Sequence, residues 1–148
     1  MNQLTPQDSK FDERVRASFA LQPFIQFIGA RLTHVAAGEI DILLPKDPNI
    51  LQQHGFVHGG VLTSIADAAA GYAALTIAAP GSGVLTTELK VNFLRPASGA
   101  ETVARGRVIK PGRTLTVLRA DVFSVTDDKE THVLTGLVTI MHVDGMSD

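Results

Sequence analysis

The chain has 148 residues, 45% hydrophobic and 19% charged, which predicts one packed domain and excludes a disordered chain. A net charge of −2 gives no reason to expect nucleic acid or an anionic membrane as partner. The absence of cysteine removes disulfide scaffolds, thiolate zinc sites and cysteine nucleophiles, and it fits a cytoplasmic protein.

Residues 1–10 read as a frayed end, polar and mixed in charge, without a signal-peptide pattern. Apolar residues at 11, 15, 19, 24, 25 and 27 predict a short helix to about Leu21, with Pro23 opening a second short helix or turn. Residues 1–28 thus form an N-terminal helical segment, and 29–148 the main body of a chain that is one domain overall. Ala30–Val35 and Glu39–Leu44 are strand-like runs around "AAG", a hairpin signal. Residues 45–60, "PKDPNILQQHGFVHGG", form a long loop of the kind that carries function.

Gly60–Ala79 predicts a long helix of roughly 30 Å. Its Asp67 and its many Ala and Gly residues mark a buried helix rather than a membrane span. "APGSG" stops it. Leu85, Thr87, Leu89, Val91 and Phe93 then alternate with polar residues, as in a strand with one face buried. Thr102–Ile109, Thr114–Val125 and Thr131–Val143 are further strands. The short turns "ASGAE", "KPGR" and "TDDKE" between them imply antiparallel pairing. The order predicts an α+β domain in which a curved antiparallel sheet wraps a long central helix, so that the helix can be apolar nearly all round.

On that helix Gly60, Ser64, Asp67, Gly71 and Ala74 fall on one stripe. So the acid sits among very small side chains, where a second helix, a strand or a ligand can come close to the backbone. "HGG", His58–Gly60, stands at the helix start, where the first N–H groups lack internal partners and meet the positive end of the helix dipole. Glycine lets a ligand reach those groups, which then suit the oxygen of a carbonyl under attack. Asp67 lies two turns further in, roughly 10 Å along the axis. That is far for one carbonyl, unless the acid comes from a second subunit. The competing reading makes Gly59–Gly60 a tight turn and Asp67 a buried, hydrogen-bonded acid. The cost of burying a carboxylate weighs against it.

"QQHGFVHGGVLTSIADAAAGYAA", "TTELKVNFLRPA" and "KPGRTLTVLRADVF" together resemble the hotdog-fold acyl-CoA thioesterases. Within these, the chain is similar to the PaaI-like and 4-hydroxybenzoyl-CoA thioesterase group, from about Gly29 to Val143. The resemblance implies that Asp67 is the nucleophile or general base and that the Gly59 N–H binds the thioester oxygen. It implies that His58 orders the turn and contacts substrate, and that Gln52 lies near the thioester or the attacking water. Thr86 would hold a water or the acid. It further implies a homo-oligomer, a dimer or dimer of dimers, in which Gly59 of one subunit serves Asp67 of another. The substrate would be an acyl-CoA with an aromatic (phenylacetyl- or benzoyl-like) or medium-chain acyl group, and no separate cofactor is needed. Gly60 and Ser64 line the same stripe, and Lys90, Arg95 and Arg113 are candidates for the coenzyme A phosphates.

His54 and His58 have no third ligand in view, so no metal site is expected. Ser64, Asp67 and His58 lack the strand-turn-helix context of a triad nucleophile. "GSG", Gly81–Gly83, ends a helix instead of opening one. Tyr72 and the phenylalanines read as core or pocket wall. Two alternatives share the fold: an acyl-thioester dehydratase or hydratase, which pairs a histidine with an acid, and a non-catalytic acyl-CoA-binding module.

Overall fold

A computed structural model describes residues 4–146. The chain forms two short helices, α1 (Phe11–Ala20) and α2 (Pro23–Phe27), then strands β1 (Arg31–Ala36) and β2 (Glu39–Pro45). A 3₁₀ turn at Pro48–Ile50 leads to the long helix α3 (Gly59–Leu75). Strands β3 (Ser82–Phe93), β4 (Glu101–Lys110), β5 (Leu115–Thr126) and β6 (Lys129–Asp144) follow. All six strands form one sheet in the order β1-β2-β4-β5-β6-β3, and every pairing is antiparallel. The expected α+β architecture is present.

β4 and β5 alternate between buried and more open positions over most of their length, and β6 does so from Leu137 to Met141, after the adjacent buried pair Val133 and Leu134. Ala104, Leu118, Ala120, Val122, Val138 and Ile140 are fully buried and belong to the same core cluster as Ile65, Ala66, Ala69, Ala70 and Ala73 of α3. The helix comes so close that a Cβ on Gly106 of β4 would lie 2.1 Å from the Ala69 carbonyl oxygen. Small residues on both elements make that approach feasible. The β5–β6 turn needs only Asp127 and Asp128, both at positive φ (47° and 61°), which matches the right-handed twist of a tight hairpin.

Three expectations are revised. α3 ends at Leu75, four residues short of Ala79, because Ile77 and Ala78 donate three residues back, to Ala74 and Leu75, and tighten the chain before Pro80. The buried Thr76 hydroxyl donates to the Ala73 carbonyl at 2.7 Å and accepts from the Gly38 N–H at 2.7 Å, which fastens the helix end to the β1–β2 turn. Second, the sheet wraps α3 as expected, with β2, β3, β4, β5 and β6 all against it, but the helix is not enclosed all round. The far side is partly covered by α1, where Phe19 meets Tyr72 with ring centroids 5.4 Å apart, and is otherwise open. Val15, Phe19, Ile25 and Ile28 thus enter the same core as α3.

The third revision concerns β3, whose alternation does not run unbroken. The β3–β6 register slips between Thr86 and Glu88, so that Thr86 pairs with Ile140 and Glu88 with Thr139. Val84 and Thr86 therefore share the helix side with Leu89, Val91 and Phe93, and Leu85 turns to the other face. β3 is also an edge strand, so Leu85 and Phe93 remain about half exposed, at 46% and 55%.

The outer face of the sheet carries charge. Arg105 holds Glu130 with two hydrogen bonds, at 2.9 and 2.5 Å, and its guanidinium stacks 4.8 Å from the Phe123 ring. The Glu130 bond raises the Arg105 pKa above its ordinary value. Arg107 donates to Asp41 at 2.5 Å.

Candidate active site

The loop before α3 folds back on itself. Leu51 and Val57 form an isolated antiparallel bridge, the Gln52 N–H donates to the Phe56 carbonyl at 2.9 Å, and Gln52 Oε1 accepts from the His54 N–H. Gln52 thereby shapes the loop at the base of the helix. His58 caps α3: its Nδ1 accepts from the Gly60 N–H at 2.9 Å. Its carbonyl accepts from Val61 and Leu62. The Gly59 N–H has no acceptor among the described residues. A Cβ at Gly59 would come within 3.2 Å of the Phe93 ring, so glycine lets that half-exposed ring rest on the helix start. Ser64 donates to the Gly60 carbonyl at 2.8 Å, and Thr63 to that of Gly59, so both hydroxyls are taken by the helix.

Asp67 is half-buried on the open side of α3. The Thr86 hydroxyl donates to its Oδ1 at 2.7 Å. The slip in β3 is what aims Thr86 at the helix, a use of bulges that is frequent beside active sites. Oδ2 of Asp67 has no partner among the described residues. Asp67 lines a cavity of about 330 Å³, together with Ala68, Gly71, Tyr72 and Leu75 of α3, Val84, Leu85 and Thr86 of β3, and Ser18 and Gln22. A Cβ on Gly71 would meet no atom within 4 Å, so the small-residue stripe borders open space.

Asp67 and Thr86 are therefore together at one end of a pocket, while His58, Gly59, Gly60 and Gln52 gather at the helix start. Gly59 and Asp67 are eight residues apart, about 12 Å along the axis. The basic candidates do not converge. Lys90 points away from α3 on β3 and bonds Asn92, while Arg95 donates to the His132 carbonyl at 3.2 Å. Arg113 lies in the β4–β5 turn beside a separate cleft of about 710 Å³ that also contains His142. Ser18, Gln22 and Leu75 went unseen as pocket residues. The one signal was the spacing of four between Ser18 and Gln22, beside the apolar face of α1.

Among the described residues no group of three or more His, Asp or Glu side chains is placed to hold a metal ion, and no helix is long and apolar enough to cross a membrane.

A six-stranded antiparallel sheet packed on one long helix, with an acid beside a pocket on the helix, is the architecture of the hotdog thioesterases. The comparisons agree: the Thioesterase superfamily model matches residues 54–131. A thioesterase family protein of Silicibacter pomeroyi is 41% identical in sequence. Its crystal structure superposes with a TM-score of 0.89 over 91% of this chain and 99% of that one. The E. coli PaaI protein from the phenylacetic acid degradation operon shares the fold at 20% identity (TM-score 0.83, covering 95% of this chain and 98% of that one). So does a Haemophilus influenzae thioesterase at 19% identity (TM-score 0.80, 99% and 98%). The chain belongs to the thioesterase superfamily and is a hotdog-fold thioester hydrolase, as the sequence resemblance implied.

Proposed function

We propose that the protein hydrolyses an acyl-CoA thioester whose acyl group is of modest size, aromatic (phenylacetyl- or benzoyl-like) or medium-chain, to the free acid and coenzyme A. The observation that carries this reading is Asp67, held by Thr86 at one end of a pocket of about 330 Å³. Ligand pockets run from about 300 to 1,000 Å³, so this one lies at the small end and does not suit a long acyl chain.

Asp67 Oδ2 acts in one of two ways. It takes a proton from water as the water oxygen attacks the carbonyl carbon, or it attacks that carbon itself. In the first route the C–S bond then breaks and the thiolate takes up the proton. In the second the thiolate leaves a mixed anhydride, which water cleaves. Label found in the Asp67 carboxylate after turnover in heavy-oxygen water identifies the second route with water attacking the Asp67 Cγ, because the first route puts the label in the acid product alone. The Gly59 N–H, at the positive end of α3, supplies the oxyanion donor. It is too far along its own helix to serve the Asp67 beside it, so a partner subunit's Gly59 serves instead. β3 offers the route to such a dimer: it is an unpaired edge of 12 residues with exposed Leu85 and Phe93, and Thr86 lies on it.

A dehydratase reading is weaker here, because the acid's hydrogen-bond partner is a threonine and no histidine lines its pocket among the described residues. The test is free-thiol release from a panel of acyl-CoAs. Asp67→Asn should lower kcat about 100- to 10,000-fold while circular dichroism and oligomeric state stay unchanged. Full activity in Asp67→Asn would remove the acid from the mechanism, and enoyl-CoA hydration without thiol release would overturn the hydrolase assignment.

A further inference from the structure

The N–H groups that open α3 are nearly all taken. That of Gly60 donates to His58 Nδ1 at 2.9 Å, and those of Val61 and Leu62 donate to the His58 carbonyl at 2.9 and 3.1 Å. Among the described residues only the Gly59 N–H has no acceptor. A carbonyl oxygen bound at this helix start therefore depends on one donor, and what surrounds that donor matters.

The Phe93 ring forms one side of those surroundings. Its Cε1 and Cζ each lie 3.2 Å from the place a Cβ would take on Gly59, so the ring rests against the bare glycine. The backbone on either side holds the two together. Leu94 donates to the Val133 carbonyl at 2.8 Å, and Val57, two residues before Gly59, donates to the Ala97 carbonyl at 3.0 Å. Yet Phe93 is 55% exposed. Core packing does not account for a large ring left half in water at the one open donor of the helix. Water on an N–H must leave before a carbonyl oxygen can take its place, and a hydrogen bond gains strength where water is excluded. An apolar ring beside the donor offers that water no second partner.

We propose that Phe93 is a positioning residue for hydrolysis: its ring walls the Gly59 N–H against water and directs the thioester oxygen onto that donor. The proposal rests on the acyl-CoA hydrolase reading with Gly59 as oxyanion donor. Phe93 and Gly59 belong to one chain, so they act as a unit on whichever Asp67 that glycine serves. The apolar bulk of the ring is what counts.

The test measures thiol release from benzoyl-CoA and hexanoyl-CoA. Phe93→Ala should lower kcat roughly 10-fold or more while KM changes less than about threefold, the pattern of an interaction made in the transition state. Phe93→Thr, a residue suited to a strand, gives the same reading if Phe93→Ala folds poorly. Phe93→Leu, apolar and bulky, should recover most of the rate. The second readout is the infrared carbonyl band of the better substrate, carrying heavy carbon at that position and bound to Asp67→Asn. It should lie below the band of the free thioester, and adding Phe93→Ala should move it back toward the free position. The proposal is overturned, with the hydrolase reading intact, if Phe93→Ala and Phe93→Thr keep the wild-type kcat. The same holds if Phe93→Leu is as slow as Phe93→Ala, or if the band does not move. A wild-type protein that releases no thiol from any acyl-CoA of the panel overturns the underlying reading, and this proposal with it.

Discussion

The two faces of α3 are built from the same small residues and meet opposite surroundings. Toward the sheet, Ala66, Ala69, Ala70 and Ala73 are fully buried, and the β4 backbone passes so close at Gly106 that a methyl group would strike the Ala69 carbonyl. On the other face Gly60, Ser64, Asp67 and Gly71 are open or half-open, and Gly71 has no neighbour within reach of a Cβ. A small side chain therefore has no single meaning. Against a strand it permits dense packing. Beside a gap it leaves room for something the chain does not contain, and in this helix that face is the one that carries the acid.

Substitutions can break this contrast, and the largest effect is expected on the packed face. Gly106→Ala forces a Cβ against backbone that cannot swing aside and should lower stability by about 3 kcal/mol, read as a fall in the urea midpoint. A midpoint that did not move would mean α3 sits further from β4 than the structure has it. Next comes the open face. Thr86→Val keeps the shape but removes the donor to Asp67, so kcat should drop roughly 10-fold, with Thr86→Ser recovering most of it. If serine rescues nothing, the methyl group matters and not the hydroxyl.

Gly71→Ala tests the contrast most directly. It should stabilise the helix by up to about 1 kcal/mol, because alanine is the better helix former and the space is free. The same methyl group narrows the pocket, so kcat/KM should fall. A rise in both would mean that nothing passes over Gly71.

The smallest effect belongs to His142, away from both faces, whose Nε2 lies 2.8 Å from the Thr116 hydroxyl. Burial lowers its pKa, against a weaker upward pull from Asp144. Below its ordinary value of 6.5 the unfolded chain binds this proton more readily than the fold does. Stability from this group is therefore complete above that pH and declines as pH falls through it toward the lower, folded value. His142→Gln should flatten that slope in urea midpoints measured at successive pH values, and an unchanged slope would assign it to other groups.

Much of the site was legible because its signals are local. "HGG" before a run of small residues marks a helix start, and His58 indeed caps α3 through Nδ1. Asp67 stood out as the lone acid in an apolar segment. The partner of that acid was harder to read. Thr86 was named through the family resemblance, yet strict alternation along β3 set it on the face opposite Leu89 and Val91. The bulge that turns it inward is a matter of pairing with β6, and nothing near residue 87 announces it. Ser18 and Gln22 were read only as part of the N-terminal helical segment, because their place on the pocket depends on packing against Tyr72, 54 residues after Ser18.

By itself the sequence determined the kinds and order of the elements, the start of α3 and the place of the acid on it. These follow from periodicity and capping, which act over a few residues. Only the tertiary structure decided which face of α3 is left open, which hydroxyl holds Asp67 and what closes the far end of the pocket. Those outcomes depend on how strands and helices far apart in the chain come to be neighbours. β6 pairs with both β5 and β3, which leaves β3 at the edge, and α1 folds back over only part of α3.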